Sequence, residues 1–158
     1  MKQYIIRVAE HRDIPSIQEL MTLLSESDHP YDRDVDLQWA YSVDGLKYIK
    51  DRITNPGEAC FVVEYNKSIV GYCTASIKEL PSWRLVKVAE IENVFIEDNY
   101  RRNGLGRKLV ETVVKWAKEL RVNRIAVSVF SPNSKAISFY SKIEFTSYDM
   151  TMEMSLEH

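Results

Sequence analysis

The sequence predicts a mixed α/β fold, an α+β mixed sheet with flanking helices, built as one domain. Three observations carry this. The hydrophobic period switches repeatedly between that of a strand and that of a helix along the 158 residues. A strong helical pattern at 104–120 lies between two strand-like runs, 86–96 and 124–129, so the two strands must run parallel. The composition is 45% hydrophobic, enough for a full core without disulfides or a structural metal.

The elements follow in order. Residues 4–8 read as a short strand. Asp13-Ile14-Pro15 opens a helix, with Asp as N-cap and Pro in the first turn, and Ile17, Leu20, Met21 and Leu24 recur at helical spacing. Residues 25–36 are polar and acidic, contain Pro30 and read as a loop. A second helix falls within 37–53 and ends at Asn55-Pro56-Gly57. Strands at 59–65 and 68–77 flank a hairpin turn at Asn66-Lys67, and a two-residue turn sets Cys60 opposite Cys73. The run 86–96 is a long strand. The helix 104–120 carries Leu105, Leu109, Val113, Trp116, Ala117 and Leu120 on one side. A β-branched strand at 124–129, a short helix at 133–143 and a last strand at 145–154 complete the chain. Leu156-Glu157-His158 resembles the start of a polyhistidine tag, which leaves 1–155 as the domain.

Charge and cysteine usage exclude several classes. The formal charge is −2, which gives no global reason to expect a nucleic acid or an anionic membrane as partner. No apolar run is long enough to span a membrane, and the first residues lack the apolar core of a signal peptide. Two cysteines make no disulfide framework, and no Cys/His cluster has metal-ligand spacing, so a cytoplasmic protein with reduced thiols and no metal is expected.

The segment Tyr100-Arg101-Arg102-Asn103-Gly104-Leu105-Gly106-Arg107 joins a strong strand to a strong helix. Two glycines one residue apart let the chain turn tightly and let a ligand reach bare backbone amides. The first N–H groups of a helix have no internal partner and sit at the positive end of its dipole. Residues 100–124 hold eight bases and two acids, which concentrates positive charge there. These features describe a phosphate site. The spacing is not that of a P-loop, which needs Gly-Lys and Ser or Thr after four residues. Nor is it a dinucleotide fingerprint, whose third Gly falls where this chain has Leu109.

The pattern Arg101-Arg102-Asn103-Gly104-Leu105-Gly106, preceded by Ile91-Glu92-Asn93-Val94-Phe95-Ile96 and followed by Asn133 to Tyr140, resembles the GNAT superfamily of acyl-CoA-dependent N-acyltransferases. The opening Ile6-Arg7-Val8-Ala9 to Ile17 is similar too. The resemblance implies a mostly antiparallel central sheet with one parallel, splayed strand pair. It implies acetyl-CoA as co-substrate, with the pyrophosphate on the amides of Arg102, Asn103, Gly104, Leu105, Gly106 and Arg107, beside Arg101. The pantetheine arm would lie along Val94, Phe95 and Ile96, and Asn133 would bind that arm. Tyr140 would stand near the thioester sulfur as general acid. Dimers are common in the superfamily, which leaves a homodimer open. The chain departs from the pattern at Glu144, where Gly is frequent; a left-handed residue there costs about 1 kcal/mol relative to Gly. Ser128 replaces a glutamate that is catalytic in some members.

Glu90 and Glu92 form a polar pair inside an apolar strand and are the candidate bases, directly or through water. On a regular strand they share a face with Val94 and Ile96. Residues 26–51 hold seven acids and three bases, interleaved with Tyr31, Trp39 and Tyr41, which suits a cationic small-molecule or peptide amine. The expected function is N-acetyl transfer to a primary amine by direct attack in a ternary complex. The alternative from another class is a non-catalytic acyl-CoA-binding sensor or interaction module of the same fold.

Overall fold

A computed structural model describes residues 1–157; His158, the last residue of the tag-like end, lies outside them. The chain divides into two compact units, Met1–Ser128 and the residues from Val129 onward.

The first unit is a five-stranded sheet in the order β1-β2-β3-β4-β5 with three helices. β1 (Ile5–Val8), β2 (Glu58–Tyr65), β3 (Ser68–Ile77) and β4 (Val88–Ile96) pair antiparallel, and β5 (Arg124–Val127) runs parallel to β4. This is the mixed sheet expected from the βαβ pattern. α1 (Ile14–Asp28) and α2 (Val43–Thr54) cover one face. Ile17, Leu20, Ile49, Cys60, Val62, Tyr72 and Phe95 are buried together there. α3 (Leu105–Glu119) packs on β2, β3 and β4, burying Leu105, Leu109, Val110, Val113 and Ala117.

Local chemistry explains most boundaries. Asn66 and Lys67 both adopt positive φ, the conformation a two-residue hairpin turn requires, so Tyr65 faces Ser68 as expected. Ser42 caps α2 by accepting from the Gly45 N–H. Gly45 is required there, because a Cβ would lie 2.0 Å from the Trp39 carbonyl oxygen. Asp13 does not act as the expected cap. Its carboxylate instead accepts from the Glu10 N–H at 2.8 Å and from both Arg7 Nη atoms at 2.7 and 2.9 Å. α1 also runs four residues beyond Leu24, into the segment read as loop.

Two bulges overturn two register expectations. A shift between Val63 and Glu64 pairs Cys60 with Thr74 and Cys73 with Phe61, so the cysteines sit on opposite faces of the sheet rather than opposite each other. Both are buried free thiols, and burial pushes Cys60 up to about 12. In β4, Ile91 pairs with Ala75 and Asn93 with Thr74, which leaves Glu92 as the extra residue. Glu90, Asn93 and Phe95 therefore share the α1/α2 face, while Val94 and Ile96 turn to the other.

The second unit holds α4 (Ser134–Lys142), capped by Asn133, whose Oδ1 accepts from the Ala136 N–H at 3.1 Å. α4 ends in a Schellman motif. Phe145 N–H donates to Tyr140 O at 3.0 Å, Glu144 N–H donates to Ser141 O at 3.2 Å, and Glu144 sits at φ +74°. Glu144 thus takes the left-handed geometry that carries the cost of about 1 kcal/mol relative to Gly. The last strand expected at 145–154 is not: those residues form no strand.

Candidate active site

The β4–β5 ladder stops at Ile91–Val127, the step before the Glu92 bulge. Beyond it, residues 92–96 of β4 continue without a β5 partner. A bulge bends a strand and increases its local twist, so the extra residue at Glu92 accounts for the break. Along this free stretch Val94 is half-buried, and Phe95 and Ile96 are buried, so what they offer a ligand is backbone.

The turn from β4 to α3 is held from several sides. The Tyr100 ring meets those of Tyr65 and Tyr4, with centroids 5.6 and 6.5 Å away. Arg101 donates from Nε to the Ile96 carbonyl at 2.8 Å, pairs with Asp98 at 2.9 Å and lies over the Phe95 ring. Its guanidinium thus braces the turn. Asn103 donates to the carbonyls of Tyr100 and Arg101. Arg102 and Gly104 both take positive φ, at 62° and 72°. Gly104 is the N-cap of α3 and no side chain caps that end; a Cβ built on Gly104 meets nothing within 4 Å. The first turn of a 15-residue helix therefore presents its amides across open space, with exposed Arg102, Arg107 and Lys108 around it. Arg107 pairs with Glu111 at 3.0 Å. This geometry suits a diphosphate held by backbone.

On the other side of β4, the Glu92 carboxylate is enclosed by donors. It accepts from Arg52 Nε at 2.6 Å, Arg52 Nη2 at 2.7 Å, the Tyr48 hydroxyl at 2.7 Å and Ser76 Oγ at 3.0 Å. Because Tyr48 donates to Glu92, its oxygen accepts from Thr74 Oγ1 and from Asn93 Nδ2, at 2.9 and 3.0 Å. Burial alone would push the Glu92 carboxyl up, but the hydrogen bonds from Arg52 and Tyr48 outweigh it and hold the group below its ordinary value. Burial beside Glu92 pushes the Tyr48 phenol up. Glu90 is less engaged, with Lys78 Nζ 3.7 Å away.

Sequence reasoning found Glu92 but missed Tyr48, Arg52, Thr74, Ser76 and Asn93. A signal was present: Thr74 and Ser76 alternate inside the apolar strand 68–77, opposite the polar pair Glu92-Asn93.

The acidic, aromatic segment divides by role. Asp32 and Asp36 accept from the backbone N–H groups of Asp34 and Gln38, which closes turns. The Trp39 ring meets that of Tyr48 edge-on, with centroids 5.5 Å apart, beside the Glu92 network. Asp28, half-buried at the end of α1, has its carboxyl pushed up by burial.

In the second unit, Tyr140 is half-buried and packs edge-on against Phe139 and Phe145, with centroids 4.9 and 5.3 Å away. Asn133 spends its side-chain oxygen on the α4 cap.

The sequence model of the Acetyltransferase (GNAT) family matches residues 17–145. The chain belongs to this family. A curated relative, an N-alpha-acetyltransferase of Sulfurisphaera tokodaii, is 28% identical over 91% of this chain and 81% of its own length. Another, an L-amino acid N-acetyltransferase of Escherichia coli, is 27% identical over 92% of this chain and 84% of its own. Among solved structures, a mutant of the BH1408 protein of Bacillus halodurans superposes with a TM-score of 0.81 at 22% identity, covering 97% of this chain and 99% of that one. An aminoglycoside N-acetyltransferase, AAC(6')-Iy, solved with CoA, superposes at 0.76 with 14% identity over 98% and 95%. The GNAT fold expected from the sequence is thus present. The chain is an acyltransferase of the N-acetyltransferase type, with acetyl-CoA as co-substrate. Among the described residues, no helix is long and apolar enough to cross a membrane, and no group of His, Cys, Asp and Glu could hold a metal ion.

Proposed function

We propose that this chain acetylates the primary amine of a small cationic acceptor by direct attack on acetyl-CoA in a ternary complex. The observation that supports it most is the junction of two features on one strand: β4 loses its β5 partner at Ile91, and it leads into the uncapped N-terminus of α3. The amides from Arg102 to Arg107 would take the diphosphate. The pantetheine arm would add along Val94 to Ile96, with Asn133 as a further partner on the family resemblance.

An alkyl amine with a pKa near 10.4 is almost wholly protonated at pH 7, and reaching the free base costs roughly 4.6 kcal/mol. A base must take that proton. Of the two candidates, Glu90 is the one with accepting capacity to spare, and it would act through water. Glu92, already accepting from Arg52, Tyr48 and Ser76, is a positioning carboxylate that fixes the bulge and the Tyr48 hydroxyl. Backbone N–H groups near Val94 or Ile96 would hold the oxyanion of the tetrahedral intermediate. Tyr140, again on the resemblance, would protonate the departing thiolate, whose conjugate pKa is near 8.5. The buried, inert thiols Cys60 and Cys73 are spectators, and no covalent intermediate is needed.

Asp28, with Tyr31, Trp39 and Tyr41 on the same segment, would receive the cation. A bound ammonium offsets the burial that pushes the Asp28 carboxyl up. Relatives bear names that specify amino-acid, ornithine and streptothricin acceptors, all amines. A cytoplasmic homodimer fits the reduced thiols and the family. The direct test of the acid is Tyr140→Phe, with kcat expected to fall roughly 10–100-fold. An unchanged kcat with chemistry rate-limiting removes Tyr140 from the mechanism.

A further inference from the structure

The chain holds seven asparagines, and only Asn103 precedes a glycine. An asparagine side chain can close on the backbone of the next residue. The nitrogen of that residue attacks the side-chain Cγ and ammonia leaves, which forms a five-membered succinimide. Water then opens the ring on one side or the other, to aspartate or to isoaspartate. The balance is one water in and one ammonia out, with no oxidant or reductant. A side chain on the following residue hinders the attack, and a glycine has none. At the other six asparagines the next residue brings a side chain or, after Asn55, the ring of Pro56.

The fold leaves this site open. Asn103 and Gly104 are both exposed, and a Cβ built on Gly104 meets nothing within 4 Å. Gly104 is the N-cap of α3, so no bond of the helix ties its nitrogen. Asp44-Gly45 offers the same closure from an aspartate, but there Gly45 is buried and its N–H is spent on Ser42 Oγ at 3.0 Å. The Asn103 side chain is held through Nδ2, which donates to the carbonyls of Tyr100 and Arg101 at 2.9 and 3.1 Å. Those bonds hold the nitrogen that would leave as ammonia. They slow the reaction without closing its route.

Either product turns this brace into a fault. A carboxylate has no N–H to donate, and it would face the two carbonyl oxygens that Nδ2 now satisfies. It also sets a negative charge beside the first amides of α3, where the helix dipole and the surrounding bases favour an anionic ligand. Isoaspartate in addition lengthens the main chain by one carbon just ahead of Gly104.

We propose that Asn103-Gly104 is a self-modification site, at which deamidation turns a loop that accepts anions into one that repels them. The chemistry at Asn103 stands on the exposed, glycine-followed loop alone. Its effect on the donor rests on the diphosphate role given to this loop above. A diphosphate bound to these amides keeps the loop braced, so occupied molecules outlast empty ones.

The test ages the full chain at pH 7 with and without CoA, then reads its tryptic peptides by mass spectrometry and its isoaspartate by enzymatic methylation. Peptide 103–107 should take on the mass of Asp for Asn before any other asparagine-bearing peptide does. It should do so more slowly than a synthetic peptide of residues 98–108, and more slowly again with CoA. Ion exchange separates the modified chain by its extra negative charge. In calorimetry that fraction should bind CoA about tenfold more weakly than the intact one, as should Asn103→Asp. Asn103→Gln, whose ring would be six-membered, should show no modification at 103 and no loss of affinity with age. An unmodified Asn103, or another asparagine modified first, overturns the site. A modified fraction that binds CoA as tightly as the intact one overturns the consequence. An intact chain without CoA affinity counts against the diphosphate role, and modification at 103 in that chain still upholds the site.

Discussion

Asp28 closes α1 with a carboxylate partly withdrawn from water, at the helix end where the dipole also disfavours an anion. Burial raises its folded-state pKa. A group whose folded value lies above its unfolded one takes stability away as the pH rises through that range. Asp28→Asn should therefore raise the melting temperature at pH 7, by a gain of no more than about 0.5 kcal/mol after solvent screening. The gain should vanish near pH 3, where the wild-type side chain is already neutral. If Asp28 receives the acceptor, the same variant raises the KM for a cationic amine about fivefold and leaves the KM for acetyl-CoA alone. Calorimetric melting at the two pH values and steady-state kinetics check both halves. A variant that melts lower at pH 7 contradicts the burial argument. An unmoved amine KM takes Asp28 out of the acceptor site.

At the scale of elements, the bulge in β4 organises the site. It parts β4 from β5, turns Val94 and Ile96 to the α3 face, and brings Glu92 to Arg52 on α2. The two glutamates should separate cleanly on substitution. Glu92→Gln removes a charge that Arg52 is buried against, and should cost about 2 kcal/mol of stability. Its effect on kcat should be the smaller of the two. Glu90→Gln should leave the melting temperature nearly unchanged and lower kcat about 100-fold. Chemical denaturation beside kinetics reads the pair, and the reverse pattern would exchange their roles. Neither bulge was legible in the sequence. An extra residue in a strand has no local signature at Glu92 or Val70, and the partner register decides it. The turn at Asn66-Lys67, the short helix that begins beside Asn133 and the glycine-marked start of α3 were legible, because each is set by a few adjacent residues. The strand expected at 145–154 is the opposite case. Its alternation is plain, but a strand exists only with a neighbour to pair with.

For the molecule as a whole, near-neutral charge conceals a division. Basic residues gather around the start of α3, and acids gather between α1 and α2. That division suits an anionic donor and a cationic acceptor, and it was readable from the sequence. Stability carries its own pH signature. Arg7 holds Asp13, and Arg52 with Tyr48 holds Glu92, each below its ordinary value of 3.8 or 4.5. Such groups contribute fully above those unfolded-state values, and the contribution is lost as the pH falls through the lower folded-state ones. The melting temperature should drop steeply as the pH is lowered below about 4.5. Asp13→Asn, already without its ion pair, should show a lower melting temperature at pH 7 and a shallower fall in acid.

The central claim is acetyl transfer from a donor held at the start of α3. The measurement closest to it is release of CoA thiol from acetyl-CoA across a panel of primary amines, with Gly104→Glu as control. Bulk and negative charge at Gly104 should abolish donor binding and thiol release together. The account predicts amine-dependent release by the wild-type chain on at least one cationic amine and none by the variant. Tight acetyl-CoA binding without turnover on any amine, or release undiminished by Gly104→Glu, would contradict it.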